Sequence, residues 1–212
     1  MQQKIKIAVL GGTGKAGKYL VKQLRKQGFQ IKLLLRNPEN FPIKDPLIEL
    51  VKGDARYYEP VRNLIEDCVA VLSTIGQPVG EPTIFSQATI NVLQAMQEFG
   101  VRRYIVATGL NVDTPADQKN PVVAAGTAWM KANYPLTTAD KQVELDLLMK
   151  SDVDWTLVRL PLIGQTDERS AMAVSLIDCP GEHISATDLA CFMIEQLDKG
   201  TYIRQAPFIA NV

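Results

Sequence analysis

Lys4-Ile-Lys-Ile-Ala-Val-Leu10, followed without a break by Gly11-Gly-Thr-Gly-Lys-Ala-Gly17, is the stretch that decides the fold. Its first half is an apolar, β-branched run that ends at a glycine turn, the pattern of a buried strand. Its second half spaces glycines as Gly12-x-Gly14-x-x-Gly17, with Gly11 opening the turn. The residues that follow, Lys18 to Gln27, repeat apolar positions at helical spacing. Strand, glycine turn and helix together form the arrangement that carries the pyrophosphate of a dinucleotide. Glycines permit positive φ and let the backbone approach phosphate without a Cβ in the way. The helix N-terminus adds free N–H groups and a positive dipole end. Thr13 and Lys15 lie inside the loop and are candidate phosphate ligands beside Gly11, Gly14 and Gly17.

Outward from this unit, apolar runs alternate with helical stretches. Strands are expected at Lys4–Leu10, Gln30–Leu35, Ile48–Lys52, Ala70–Ile75, Arg103–Thr108 and Trp155–Arg159. Helices are expected at Lys15–Gln27, Pro60–Asp67, Thr83–Phe99, Thr138–Lys150 and Thr187–Leu197. This alternation predicts an α/β fold: a three-layer, Rossmann-type, doubly wound parallel sheet with helices on both faces. Gly28 and Gly100 follow helices as C-cap residues, and Ser185-Ala-Thr-Asp188 resembles a capping box with Asp in place of Glu. Asn111–Pro135 and Leu162–Pro180 break the rhythm. Both leave the carboxyl ends of strands, where open α/β sheets bind ligands, so residues of about 110–135 and 162–180 are expected as irregular substrate cover.

Bulk properties narrow the function classes. A chain of 212 residues is expected to form one domain. Lys and Arg total 23, balanced by 23 Asp and Glu, and the pI is near 6.6. Neither a nucleic-acid surface nor a polybasic membrane patch follows from that balance. No leader pattern precedes the first strand and no apolar run reaches transmembrane length, so a cytoplasmic protein is expected. Cys68, Cys179 and Cys191 show neither metal spacing nor a disulfide pattern and read as buried thiols. His183, the one histidine, reads as structural or surface, and Asp152 and Asp154 as turn residues.

The second strand ends in Leu33-Leu-Leu-Arg36, where an acid would favour NAD(H) by bonding the adenosine ribose. An arginine there pairs with a 2′-phosphate through charge-assisted bonds, so NADP(H) is the expected cofactor.

With Lys52-Gly-Asp54, Ser73-Thr-Ile-Gly76, Asn91, Gly100-Val-Arg-Arg-Tyr-Ile-Val-Ala-Thr108, Ser151-Asp-Val-Asp-Trp-Thr-Leu-Val-Arg-Leu-Pro161 and Ile184-Ser-Ala-Thr-Asp-Leu-Ala190 added, the chain resembles the atypical short-chain dehydrogenase/reductases. More narrowly it is similar to the NAD(P)H-binding proteins grouped with biliverdin reductase B (flavin reductase) and the NmrA-like proteins. The resemblance implies that Asp54 and the Ala55 backbone sit beside adenine and that Ser73, Thr74 and Gly76 line the ribose. It implies Thr108 near the nicotinamide, Pro161 and Leu162 at the carboxamide, and Lys141 on the nicotinamide ribose. Lys141 and Thr108 are thereby the candidate catalytic residues. A small-molecule acceptor and a monomer or homodimer are implied as well.

The chain departs from the superfamily at two places. Thr137 stands four residues before Lys141 where the acid/base tyrosine is usual, and Gly109 stands at the serine position. Tyr134 is off register. A threonine hydroxyl has too high a pKa to replace a lysine-assisted phenol. These departures suit hydride transfer to a flavin-like or quinone-like acceptor, which needs stacking and orientation while solvent supplies the proton. Leu110, Trp129, Met130, Tyr134 and Leu162 are candidates for a flat apolar pocket. An NADP(H)-responsive regulator of NmrA type is the alternative. A nucleotide-sugar epimerase or dehydratase, which would need Tyr134 to swing into place, ranks lowest.

Overall fold

β1 (Lys6–Leu10) is paired in parallel on both sides, to β2 (Gln30–Leu35) and to β4 (Ala70–Ser73), in a computed structural model that describes residues 5–212. Lys4, the expected first residue of β1, lies outside the described residues. A strand paired on both edges and covered on both faces must be apolar throughout, and Ile7 to Leu10 are almost wholly buried. The remaining strands are β3 (Ile48–Lys52), β5 (Arg103–Gly109), β6 (Asp154–Leu160), β7 (Leu162–Gly164), β8 (Met172–Ser175), β9 (His183–Ser185) and β10 (Phe208–Asn211). The large sheet has eight strands in the order β3-β2-β1-β4-β5-β6-β10-β8, and β7 pairs with β9 separately. Only β8, against β10, runs antiparallel in the large sheet. The order reverses between β1 and β4, which opens a crevice at the strand carboxyl ends.

Helices form the outer layers. α1 (Gly17–Lys26) and α6 (Ala186–Glu195) pack on one face; α2 (Tyr58–Ile65), α3 (Phe85–Phe99) and α5 (Pro135–Lys150) pack on the other. α1 buries Leu20, Val21 and Leu24, one stripe at helical spacing. It begins at Gly17, two residues later than expected, because Lys15 and Ala16 belong to the glycine turn. Gly100 ends α3 with φ +68°, a left-handed conformation that favours glycine.

Four expectations are corrected. Residues 111–135 are largely helical: α4 spans Pro121–Asn133. Asn120 caps it by accepting from the Val122 and Val123 N–H groups, and Pro121 occupies the first helical position. α5 likewise starts at Pro135, not Thr138. The segment 162–180 carries β7 and β8. The expected capping box is half present. Ser185 Oγ accepts from the Asp188 N–H, but the Ser185 N–H donates to Asn211 Oδ1 at 2.7 Å. Asp188 turns instead to Arg169 Nε, the Ser170 N–H and Asn211 Nδ2.

Two buried charges stand out. Arg159 on β6 is fully buried, with Nη1 at 2.7 Å from both Asp117 carboxylate oxygens and Nε at 2.8 Å from the Ala206 carbonyl. Its guanidinium lies 3.5 Å from the Phe208 ring centroid. Glu144 on α5 is also buried. Its Oε1 accepts from Thr89 Oγ1 at 3.0 Å, and its Oε2 has no hydrogen-bond partner among the described residues. Burial pushes its carboxyl from 4.5 up to about 8, against the pull of the Thr89 hydrogen bond and Lys141.

Asp117→Ala strands the Arg159 guanidinium in the interior, and urea unfolding is expected to show a loss of about 3–5 kcal/mol. For Glu144 the folded state binds a proton that the unfolded state has released between pH 4.5 and about 8. Stability from this group therefore falls as pH rises through that window. Glu144→Gln is expected to be more stable than the parent at pH 8, by an amount on the order of 1–3 kcal/mol, with the difference vanishing toward pH 4.5.

Candidate functional site

The turn after β1 is built on close approach. Gly11 has φ +75°, and a Cβ there would lie 2.6 Å from the Thr74 carbonyl carbon at the end of β4. A Cβ at Gly17 would collide with the Gly11 carbonyl oxygen. The glycines thus let β1, α1 and the β4 end converge, and the Gly14 N–H closes the turn onto the Gly11 carbonyl at 3.0 Å. The α1 hydrogen-bond ladder opens with the Lys18 N–H on the Gly14 carbonyl.

Three cavities run in series over the strand carboxyl ends. The first, about 320 Å³, is lined by Gly11, Thr13, Gly14, Arg36, Asp54, Ala55, Thr74 and Gly76, among others. The second, about 360 Å³, shares Gly14, Thr74 and Gly76 with the first and adds Lys15, Thr108, Gly109, Lys141 and Pro161. The third, about 830 Å³, shares Gly109, Lys141, Leu160 and Pro161 with the second. It extends under α4 past Leu110, Trp129 and Met130, with Leu162 and His183 on the other side.

Most of the expected site residues therefore come to one cleft. Three do not line the two inner cavities. Gly17 lies behind the turn and serves its packing. Ser73 is buried beneath the sheet's end against the α3 and α5 layer. Leu162 lines only the outer cavity, where it is well exposed. Ala55 is fixed by Asn91, whose Nδ2 donates to its carbonyl at 2.8 Å. Asp54 accepts from the Arg56 N–H and guanidinium, both at 2.9 Å.

Arg36 is half exposed and donates to Glu81 at 2.6 Å. Glu81 also accepts from Arg56 at 2.8 Å, which links Arg56 to Arg36; of the three, Arg36 lines the first cavity. Glu81 and Arg56 went unrecognised in the sequence, because Arg36 and Glu81 are 45 residues apart.

At the middle of the cleft, Lys141 is partly buried, with Nζ 4.9 Å from the Phe85 ring centroid. Burial lowers its ammonium pKa, opposed by Glu144. The Thr108 hydroxyl is buried and has no hydrogen-bond partner among the described residues. A Cβ at Gly109 would meet the Asn111 side-chain oxygen and stand 3.7 Å from Lys141 Nζ. Asn111, which the sequence did not single out, therefore occupies the space a serine would need. Thr137 and Tyr134 line none of the three cavities, and Tyr134 instead packs edge-on against Trp129. His183 is exposed on β9, as a surface residue should be, yet it lines the outer cavity. Cys68 and Cys179 are buried, whereas Cys191 is only partly so. Burial pushes the Cys68 thiol up to about 12, away from nucleophilic chemistry. Among the described residues no cluster could hold a metal ion, and no helix is long and apolar enough to cross a membrane.

The comparisons agree with this geometry. A family model described as NAD(P)H-binding matches residues 11–200. The chain is 32% identical over 124 residues to an isoflavone reductase homolog of Nicotiana tabacum, a match covering 53% of this chain and 38% of that protein. It is 28% identical over 170 residues to an uncharacterized chloroplastic protein of Arabidopsis thaliana, covering 73% of this chain and 58% of that one. The match thus spans about two-fifths to three-fifths of these relatives' own length. Among solved structures, a short-chain dehydrogenase/reductase of Veillonella parvula in complex with NADP superposes with TM-score 0.77 at 15% identity, covering 99% of this chain and 95% of that one. A candidate NADH-flavin reductase of Streptococcus pneumoniae superposes with TM-score 0.77 at 20% identity, covering 98% and 100%. Such identities establish a shared fold. The family match extends from the glycine turn nearly to the end of the chain, and on that ground the chain belongs to the NAD(P)H-binding family, with a Rossmann-type sheet.

Proposed function

We propose that the protein is an NADPH-dependent reductase that passes hydride to a flat, conjugated acceptor of flavin or quinone type. The observation that carries this reading is the series of cavities, with Arg36 and the glycine turn at one end, Lys15 and Lys141 in the middle and a mainly apolar lining at the other end. The residues present fit a dinucleotide. Gly11 and Gly14 bring bare backbone to the wall of the first cavity, and Arg36 lines it for a 2′-phosphate. When bound, the cofactor supplies the hydride. Lys15 and Thr13 are placed to hold phosphate, and Lys141 to donate hydrogen bonds to the ribose beside Thr108 and Pro161. Leu110, Trp129, Met130 and Leu162 offer the acceptor an apolar slot and limit water on the hydride path. No tyrosine lines the cleft, so an acceptor that takes its proton from solvent suits it better than a carbonyl needing a phenol.

The same absence favours a second reading, an NADP(H)-sensing protein of NmrA type with little catalysis. NADPH oxidation followed with FMN, riboflavin and a series of quinones separates the two. Turnover with at least one acceptor is expected; tight NADP⁺ binding with no turnover supports the sensor. Arg36→Ala is expected to weaken NADPH binding by about 10–100-fold while changing NADH binding little, since it removes a charge-assisted hydrogen bond. Trp129→Ala is expected to raise the acceptor KM about 5–10-fold, as befits a lost stacking surface, with the Kd for NADPH unchanged.

A further inference from the structure

Arg36, which lines the first cavity, is tied to a charge arrangement just beyond it that the cofactor reading does not use. Glu81 spans two guanidinium groups: one carboxylate oxygen is 2.6 Å from Arg36 Nη1 and the other 2.8 Å from Arg56 Nη2. Arg56 is anchored on its other side by Asp54 at 2.9 Å. An anion held between two arginines is the geometry a phosphate monoester takes. Glu81 comes from the 77–82 loop, whose tip is open to solvent: Val79 is fully exposed and Gly80 has φ +74°. Within the loop, Gln77 Nε2 donates to the carbonyls of Pro78, Glu81 and Pro82, so the segment can shift as a unit.

We infer that Glu81 is a built-in occupant of the 2′-phosphate site and sets the cofactor selectivity of this chain. The inference rests on the NADP(H) reading of Arg36. For the 2′-phosphate to reach Arg36 and Arg56, the Glu81 carboxylate must leave, because two anions cannot share the same donors without strong repulsion. The pair of arginines is thus available to phosphate in only a fraction of molecules, and the apparent affinity is reduced by that fraction. A cofactor without the phosphate leaves the Arg36–Glu81–Arg56 bridge undisturbed. Glu81 therefore lowers the preference for NADPH over NADH below what two arginines alone would give. The carboxylate's own pKa is held low by both arginines, so it stays charged and competing at neutral pH.

The test is the Kd of NADPH and NADH, measured by calorimetry on the whole chain and on Glu81→Gln and Arg56→Gln. Adenosine 2′,5′-bisphosphate and 5′-AMP serve as probes free of the nicotinamide. Glu81→Gln is expected to tighten NADPH and the bisphosphate about tenfold while leaving NADH and 5′-AMP within about twofold. Arg56→Gln is expected to weaken NADPH and the bisphosphate selectively. Thermal stability should stay nearly constant in Glu81→Gln, because exposed ion pairs contribute little. An unchanged or reduced NADPH-to-NADH preference in Glu81→Gln overturns the inference. A parent protein that prefers NADPH, with Arg36→Ala selectively weakened but Glu81→Gln unaltered, removes the role of Glu81 alone. A parent with no NADPH preference in which both Arg36→Ala and Glu81→Gln are without effect removes the NADP(H) reading itself.

Discussion

The Arg159–Asp117 pair is the interaction on which the outer half of the molecule depends. A guanidinium with no exposed surface must satisfy its donors inside the protein, since taking a charge out of water costs several kcal/mol. Arg159 does so by gathering three separate segments. Asp117 comes from the loop after β5, and the Val112 carbonyl from the same loop. The Ala206 carbonyl comes from the approach to β10, and the Leu176 carbonyl from the turn after β8. Phe208 of β10 covers the cation face. These segments buttress the outer cavity. Lys119 reinforces the same corner, donating to the Leu110 carbonyl at 2.8 Å and lying close to Asp113. The walls of the outer cavity are therefore tied to β6 by one buried charge.

The legible part of the chain was the part governed by local pattern. β2 and β3 begin and end where expected: β2 is paired on both sides and buried from Ile31 to Leu35, whereas β3 is the sheet's edge strand and only partly buried. α4 was opaque for the opposite reason. Only Val123 and Thr127 of that helix are buried, so it has no amphipathic stripe, and the length of the segment with Pro115, Pro121 and Pro135 in it suggested an irregular loop. The Asn120-Pro121 cap was the available signal. β8 and β10 were missed because each is four residues long and owes its place to the other and to β6.

The same division holds in the site. The glycine cradle and Arg36 are local features at the end of a strand, and both line the cleft. Glu81, Arg56 and Asn111 acquire meaning only when the fold brings β2, the β4–α3 connection and the β5 end together. The family resemblance implied Ser73 at the ribose with Thr74 and Gly76, but its side chain is buried and does not line the cleft. Lys141 is the point where the layers meet. It stands on α5, rests on Phe85 of α3 and faces two cavities at once.

The wall shared by the second and third cavities has a kinetic consequence. Gly109, Lys141, Leu160 and Pro161 border both spaces. A dinucleotide seated in the inner cavity becomes the floor of the outer one. On the proposed function, the acceptor site would be complete only once the cofactor is in place, and an acceptor above it would obstruct the nicotinamide end's way out. The order of encounter would then be cofactor first, acceptor second, oxidised cofactor last. A product that lingers in the outer cavity would then hold the cofactor in, making its departure, and not the hydride step, the slow event.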